Sequence, residues 1–187
     1  MLVAAWDAPR AYPLAYLQNS SARLISRKGN TYKRFDEQCA GIASAVKVKD
    51  AIIDGEIVCL DDAAVPRFDW LLYRRHPASF VALDIAWLNG RDLRTKPLLE
   101  RKTALRKIVP TNSPFVLYAD FVPERGLDLF RAACERDLEG IIAKHKDAPY
   151  AEDVRWVKIK NPGYSQAVGR GEEFRRGRMT ARRESHR

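Results

Sequence analysis

Residues 79–88, Ser-Phe-Val-Ala-Leu-Asp-Ile-Ala-Trp-Leu, form a run with a single charge that stops at the turn pair Asn89-Gly90. Such a run reads as a strand closed by a hairpin turn, and it commits the chain to a sheet. Ile52 to Leu60 is a second β-branched run, bounded by acidic turn residues, and reads as a strand or hairpin arm. Residues 140–144 and 156–160 give two further short strands. In the last, Trp156, Lys158 and Lys160 share one face, because side chains alternate along a strand.

Helical spacing appears between these runs. Phe35, Cys39, Ile42 and Val46 recur at helical intervals, as do Leu98, Leu105 and Ile108, and then Leu127, Phe130 and Cys134. Strands and helices in this irregular order predict an α+β fold with largely antiparallel sheets flanked by helices. The 187 residues fit one domain plus a tail, and 46% hydrophobic residues suffice for a core.

No apolar run approaches the roughly 20 residues that cross a bilayer, and the opening residues do not read as a signal peptide. A cytoplasmic protein with no membrane partner is expected. Cys39, Cys59 and Cys134 are far apart and odd in number, so a disulfide framework and a zinc site are not indicated. All three are expected to be reduced and buried. The formal charge of +9 favours a polyanionic partner. From Arg170 to Arg187 seven Arg and three Glu occur with few large apolar residues, which predicts a disordered tail, either a loose hold on a phosphate backbone or a solvated end.

Taken singly, the polar motifs carry little. Asp54-Gly55-Glu56 reads as well as a turn with two solvated carboxylates. Glu139-Gly140 reads as well as a glycine cap on a helix, and Lys158 with Lys160 as the wet face of an edge strand.

Their order is more specific. The loop Trp6-Asp7-Ala8-Pro9-Arg10 is followed by SRKGN at 26–30, DGE at 54–56 and ALDIAWLNG at 82–90. EGIIAK at 139–144 and WVKIKNPGYSQ at 156–166 complete the series. Over residues 1–169 the chain resembles the adenylation (nucleotidyltransferase) domain of ATP-dependent DNA ligases, with most likeness to the ligase domain of bacterial end-joining ligases. The resemblance implies an ATP-grasp-like nucleotidyltransferase fold, ATP with Mg2+ or Mn2+ as cofactors, and nicked or broken double-stranded DNA as partner. It implies that Glu56 holds the ribose, that Glu139 helps bind the metal, and that Arg10, Lys144, Lys158 and Lys160 hold nucleotide phosphates. Arg27 would grip the DNA strand. The guanidinium fork suits paired phosphate oxygens, and the ammonium groups offset charge developing at the α-phosphate.

The departures fall on base and nucleophile. The position of the family's nucleophilic lysine is Ala5, whose methyl group cannot attack phosphorus. The family's glycine is Ala8, followed by Pro9, which restricts the loop. Val3 stands where the family often has a Glu, and Leu83 where it usually has an aromatic residue; Phe80 is three residues earlier, on the opposite sheet face. The resemblance leads to the expectation that no oligonucleotide-binding barrel, the family's next domain, follows residue 169, and that a partner protein supplies one. Impaired self-adenylation follows from the resemblance, and a non-catalytic nick-binding protein or a relic is the alternative.

Overall fold

The structure, a computed structural model, describes residues 2–4, 13–26, 28–73, 76–154 and 156–165, with the backbone alone at 2–4 and 68. A six-stranded sheet carries the fold. Its members are β2 (Leu14–Gln18), β3 (Ser21–Ile25), β4 (Asp50–Val58), β5 (Ser79–Leu88), β6 (Arg91–Asp92) and β7 (Val116–Tyr118). The order is β3-β2-β4-β5-β6, every pairing antiparallel, and β7 joins β5 in parallel.

Two tight hairpins set the register. Asn19 and Ser20 both take positive φ (51° and 59°), as do Asn89 and Gly90 (49° and 80°). Two successive left-handed residues match the twist of paired strands. The Asn89-Gly90 turn was legible in the sequence. The hairpin of β2 and β3 was not, because Ser20 occupies a position where glycine is the usual signal.

One face of this sheet holds the core. Ala15, Leu17, Leu24, Ile53, Ile57, Phe80, Ala82 and Ile85 are buried there with Phe35, Cys39, Ile42, Leu105 and Val109. The helices involved are α1 (Asp36–Ala45), against β3, and α3 (Leu98–Ile108), against β5; α2 spans Phe68–Tyr73. The other face carries a smaller apolar cluster of Val58, Val81, Leu83 and Ala119. Phe80 and Leu83 therefore lie on opposite faces, as their odd offset predicts.

A second sheet has three strands in the order β1-β8-β9: β1 (Leu2–Ala4), β8 (Gly140–Ala143) and β9 (Val157–Lys160), all antiparallel. Helix α4 (Gly126–Glu135) covers β8 and β1. α4 is the third helix expected from the spacing of Leu127, Phe130 and Cys134; its buried contact is made by Ala133, and Leu127 is 63% exposed. One expectation needs correction here. Cys134 is only partly buried, whereas Cys39 and Cys59 are buried.

Candidate functional site

Glu56 comes from inside β4, not from a turn, so the reading of residues 54–56 as a solvated turn is overturned. It stands opposite Val81 and is 1% exposed, on the same face as Val58 and Leu83. Gly55 explains the spacing. A Cβ there would lie 2.4 Å from the Phe80 ring and 2.5 Å from the Val81 carbonyl oxygen, so only glycine lets β4 close on β5.

Glu139 precedes β8, and the helix-cap reading of Glu139-Gly140 also fails, since α4 ends at Glu135. Gly140 has φ 148°, and a Cβ on it would lie 2.1 Å from the Ile159 carbonyl oxygen. Glycine at this position keeps β8 and β9 in register and delivers Glu139 to them. Its carboxylate accepts Lys158 Nζ at 3.5 Å, and its backbone carbonyl accepts the Asn161 amide at 2.7 Å. Lys158 pairs with Ile142 and Lys160 with Gly140, so alternation puts both ammonium groups on one face. β9 is an edge strand and all four of its residues are exposed, so the wet-edge description holds for Lys160, while Lys158 is engaged by Glu139.

Lys144 follows β8 and is 6% exposed, with Nζ 3.5 Å from the centroid of the Trp156 ring. Burial lowers its pKa, opposed by the carboxylates of Asp84 and Asp54 on the large sheet. The segment after Lys144 ties the two sheets together. Tyr150 donates its hydroxyl to Asp54 at 3.2 Å, Arg101 donates to the Ala148 carbonyl at 2.9 Å, and the Leu99 amide donates to Lys146.

Sequence reasoning missed the buried charges under this segment. Asp84 is 0% exposed and takes a fork-to-fork pair from Arg101, 2.9 Å from Nε and 2.8 Å from Nη2. Lys102 is 1% exposed and donates to the carbonyls of Leu83, at 3.2 Å, and Ala119, with its ammonium 4.1 Å from the Tyr118 ring. Burial, with the nearby Lys144 charge, pushes its pKa down to about 7. The signal was present: Leu98, Arg101, Lys102 and Leu105 share the helical stripe that faces the sheet.

The structure thus brings Glu139 and Lys158 into contact, sets Lys160 beside them, and couples Lys144 to the large sheet that bears Glu56. Ala5, Ala8, Pro9, Arg10, Arg27 and the tail after residue 165 lie outside the described residues. Val3 pairs its backbone opposite Ile142. Among the described residues no group of three His, Cys, Asp or Glu side chains could hold a metal ion alone. One carboxylate with adjoining cations is a donor set that suits Mg2+ only when substrate phosphates complete the shell. Among them, too, no helix is long and apolar enough to cross a membrane.

Residues 6–160 match the model of one family, described as "ATP dependent DNA ligase domain". The chain is 29% identical over 168 residues to the multifunctional non-homologous end joining DNA repair protein LigD of Mycobacterium tuberculosis, covering 87% of this chain and 22% of that one. It is 30% identical to a DNA ligase of Aeropyrum pernix, over 87% of this chain and 30% of the relative. A solved mycobacterial DNA ligase D complexed with ATP and MES superposes with a TM-score of 0.68 at 27% identity, covering 85% of this chain and 53% of that one. The chain spans about half or less of the length of these relatives.

Proposed function

The chain belongs to the ATP dependent DNA ligase domain family, and from that premise we propose that it binds a nucleotide and a DNA break yet lacks the amine that would let it adenylylate itself. In the full reaction a lysine nitrogen attacks the α-phosphorus of ATP and pyrophosphate leaves. The AMP passes to a DNA 5′-phosphate, and a 3′-hydroxyl then displaces AMP to close the strand. Ala5 stands at the lysine position. The last step uses no enzyme nucleophile, so this chain is assigned to DNA that already carries 5′-AMP.

The observation that carries this reading is the Glu139–Lys158 pair beside Lys160, with Glu56 on the second sheet. In the proposal Glu56 holds the ribose hydroxyls. Arg10, Lys144, Lys158 and Lys160 hold phosphate oxygens through charge-assisted hydrogen bonds. Arg27 grips the DNA strand. Glu139 would hold Mg2+ or Mn2+ together with those phosphates, and the ion would supply Lewis-acid charge there. Binding of phosphate and metal releases Lys158 from Glu139. The aliphatic Leu83, 7% exposed among Val58, Val81 and Ala119, offers a base no aromatic face, so weak base discrimination is expected.

Incubation with ATP labelled on the α-phosphate tests the nucleophile claim. Wild-type protein is expected to take up no covalent label, and Ala5→Lys is expected to gain it with Mg2+ or Mn2+. Label on wild-type protein would contradict the proposal. A non-catalytic nick-binding role is the second reading, favoured by Ala5 alone.

A further inference from the structure

The large sheet has a second feature on the face that bears Glu56. Tyr16 stands opposite Arg23 on β3 and Ile52 on β4, and Ile52 opposite Trp87 on β5. Opposed residues project on one side of a sheet, so these four form a row across four strands. The alternating neighbours Ala15, Leu17, Leu24 and Ile53 are buried on the other side. The row floors a hollow of about 430 Å3, with Gln18, Ser21 and Asp50 at one rim.

The polar groups of this hollow fall into two kinds. Asp50 is engaged: Oδ1 accepts the Trp87 indole N–H and the Gly90 amide, which fixes the plane of the indole. The Arg23 guanidinium and the Tyr16 hydroxyl, in contrast, have no hydrogen-bond or ion-pair partner among the described residues, and Arg23 is exposed. The guanidinium at the β3 end of the row, beside the half-exposed Tyr16 ring and with the half-exposed Trp87 ring two strands beyond it, presents one phosphate-binding fork and two apolar plates along one line. Ile52 and Glu56 are four residues apart on β4, which puts the hollow about 13 Å from Glu56 along the same face.

We infer that this hollow seats the sugar–phosphate backbone of a DNA strand flanking the break, with a phosphate on Arg23 and a deoxyribose against Tyr16 and Trp87. The inference rests on the DNA-binding part of the proposed function and adds a contact set outside the nucleotide site. The net charge of +9 suits a polyanion, and the guanidinium fork of Arg23 suits paired phosphate oxygens. Contacts of this kind position a duplex without selecting its sequence.

The test is fluorescence anisotropy of a labelled nicked duplex over a salt series, with wild-type protein, Arg23→Ala and Arg23→Lys. Removing one phosphate contact lowers the magnitude of the log K against log salt slope by about 0.9. Arg23→Ala is expected to show that decrease with affinity falling about five- to tenfold, at an unchanged melting temperature, while Arg23→Lys keeps the slope. In parallel, 5-iodouracil stepped along each strand is expected to crosslink to Tyr16 or Trp87 at positions a few nucleotides from the nick. Normal wild-type binding with an unaltered Arg23→Ala slope, or crosslinks that miss both aromatic residues, would overturn the inference alone. Self-association of wild-type protein that Arg23→Ala abolishes would overturn it in favour of a second copy as occupant. Absence of salt-dependent DNA binding by wild-type protein would overturn it together with the proposed function.

Discussion

Lys102 is a lysine almost wholly removed from water. Burial lowers its pKa from 10.5 to about 7, so between these values the unfolded chain binds more protons than the folded one. Stability then rises with pH across that window, and the penalty is fully present below pH 7. Wild-type protein is predicted to gain melting temperature from pH 7 to pH 9 relative to Lys102→Met, by several degrees, since about 1 kcal/mol moves a domain of this size ~2–4 °C. Parallel curves for the two proteins would refute the assignment. The Asp84–Arg101 pair, 0% and 3% exposed at the side chains, sets a second expectation. Asp84→Asn leaves a buried guanidinium without its counter-charge and is predicted to cost ~3–5 kcal/mol in urea unfolding. The sequence signal for both is the helical stripe from Leu98 to Leu105, but Arg101 and Lys102 read as solvent-facing until that stripe is laid against β5.

At the scale of elements, strands were legible where composition alone decides them and helices where spacing does. β5 falls on residues 79–88 as expected because its run is apolar and its stop is Asn-Gly. α1 and α3 follow their apolar spacing. The short strands β2 and β3 escaped notice because their faces alternate between core residues and Tyr16, Gln18 and Arg23, and Asn19-Ser20 is a weak turn signal. Glu56 was ambiguous in sequence because a carboxylate beside glycine is a turn by composition; Phe80, packed where a Gly55 side chain would be, makes it a strand residue. The element that ties the two sheets to chemistry is the β8–β9 pair. Gly140→Ala is predicted to break it, since φ 148° and a Cβ 2.1 Å from the Ile159 carbonyl oxygen admit no side chain. The expected result is faster amide exchange in Val157–Lys160 with little change in β4 and β5, at a cost of ~1–3 kcal/mol. Equal exchange in both proteins would mean that the pair does not depend on this glycine.

For the whole molecule, the family and the fold were legible from six ordered blocks, since Gly55 and Gly140 permit the β4–β5 and β8–β9 pairings and Glu56 and Glu139 adjoin them. What remained hidden is how the sheets are joined: Tyr150 to Asp54, Arg101 to Ala148 and Lys144 toward Asp84 connect residues too far apart in sequence to suggest contact. In the proposed function the phosphate, ribose and metal groups still form a joining site although Ala5 stands at the position of the nucleophile. The most direct measurement gives purified protein a nicked duplex bearing 5′-AMP, with Mg2+ or Mn2+, beside an unmodified nick with ATP, and follows strand joining on a denaturing gel. Joining of the adenylylated nick alone is the predicted result. Joining of the unmodified nick with ATP, or of neither substrate, would contradict the account.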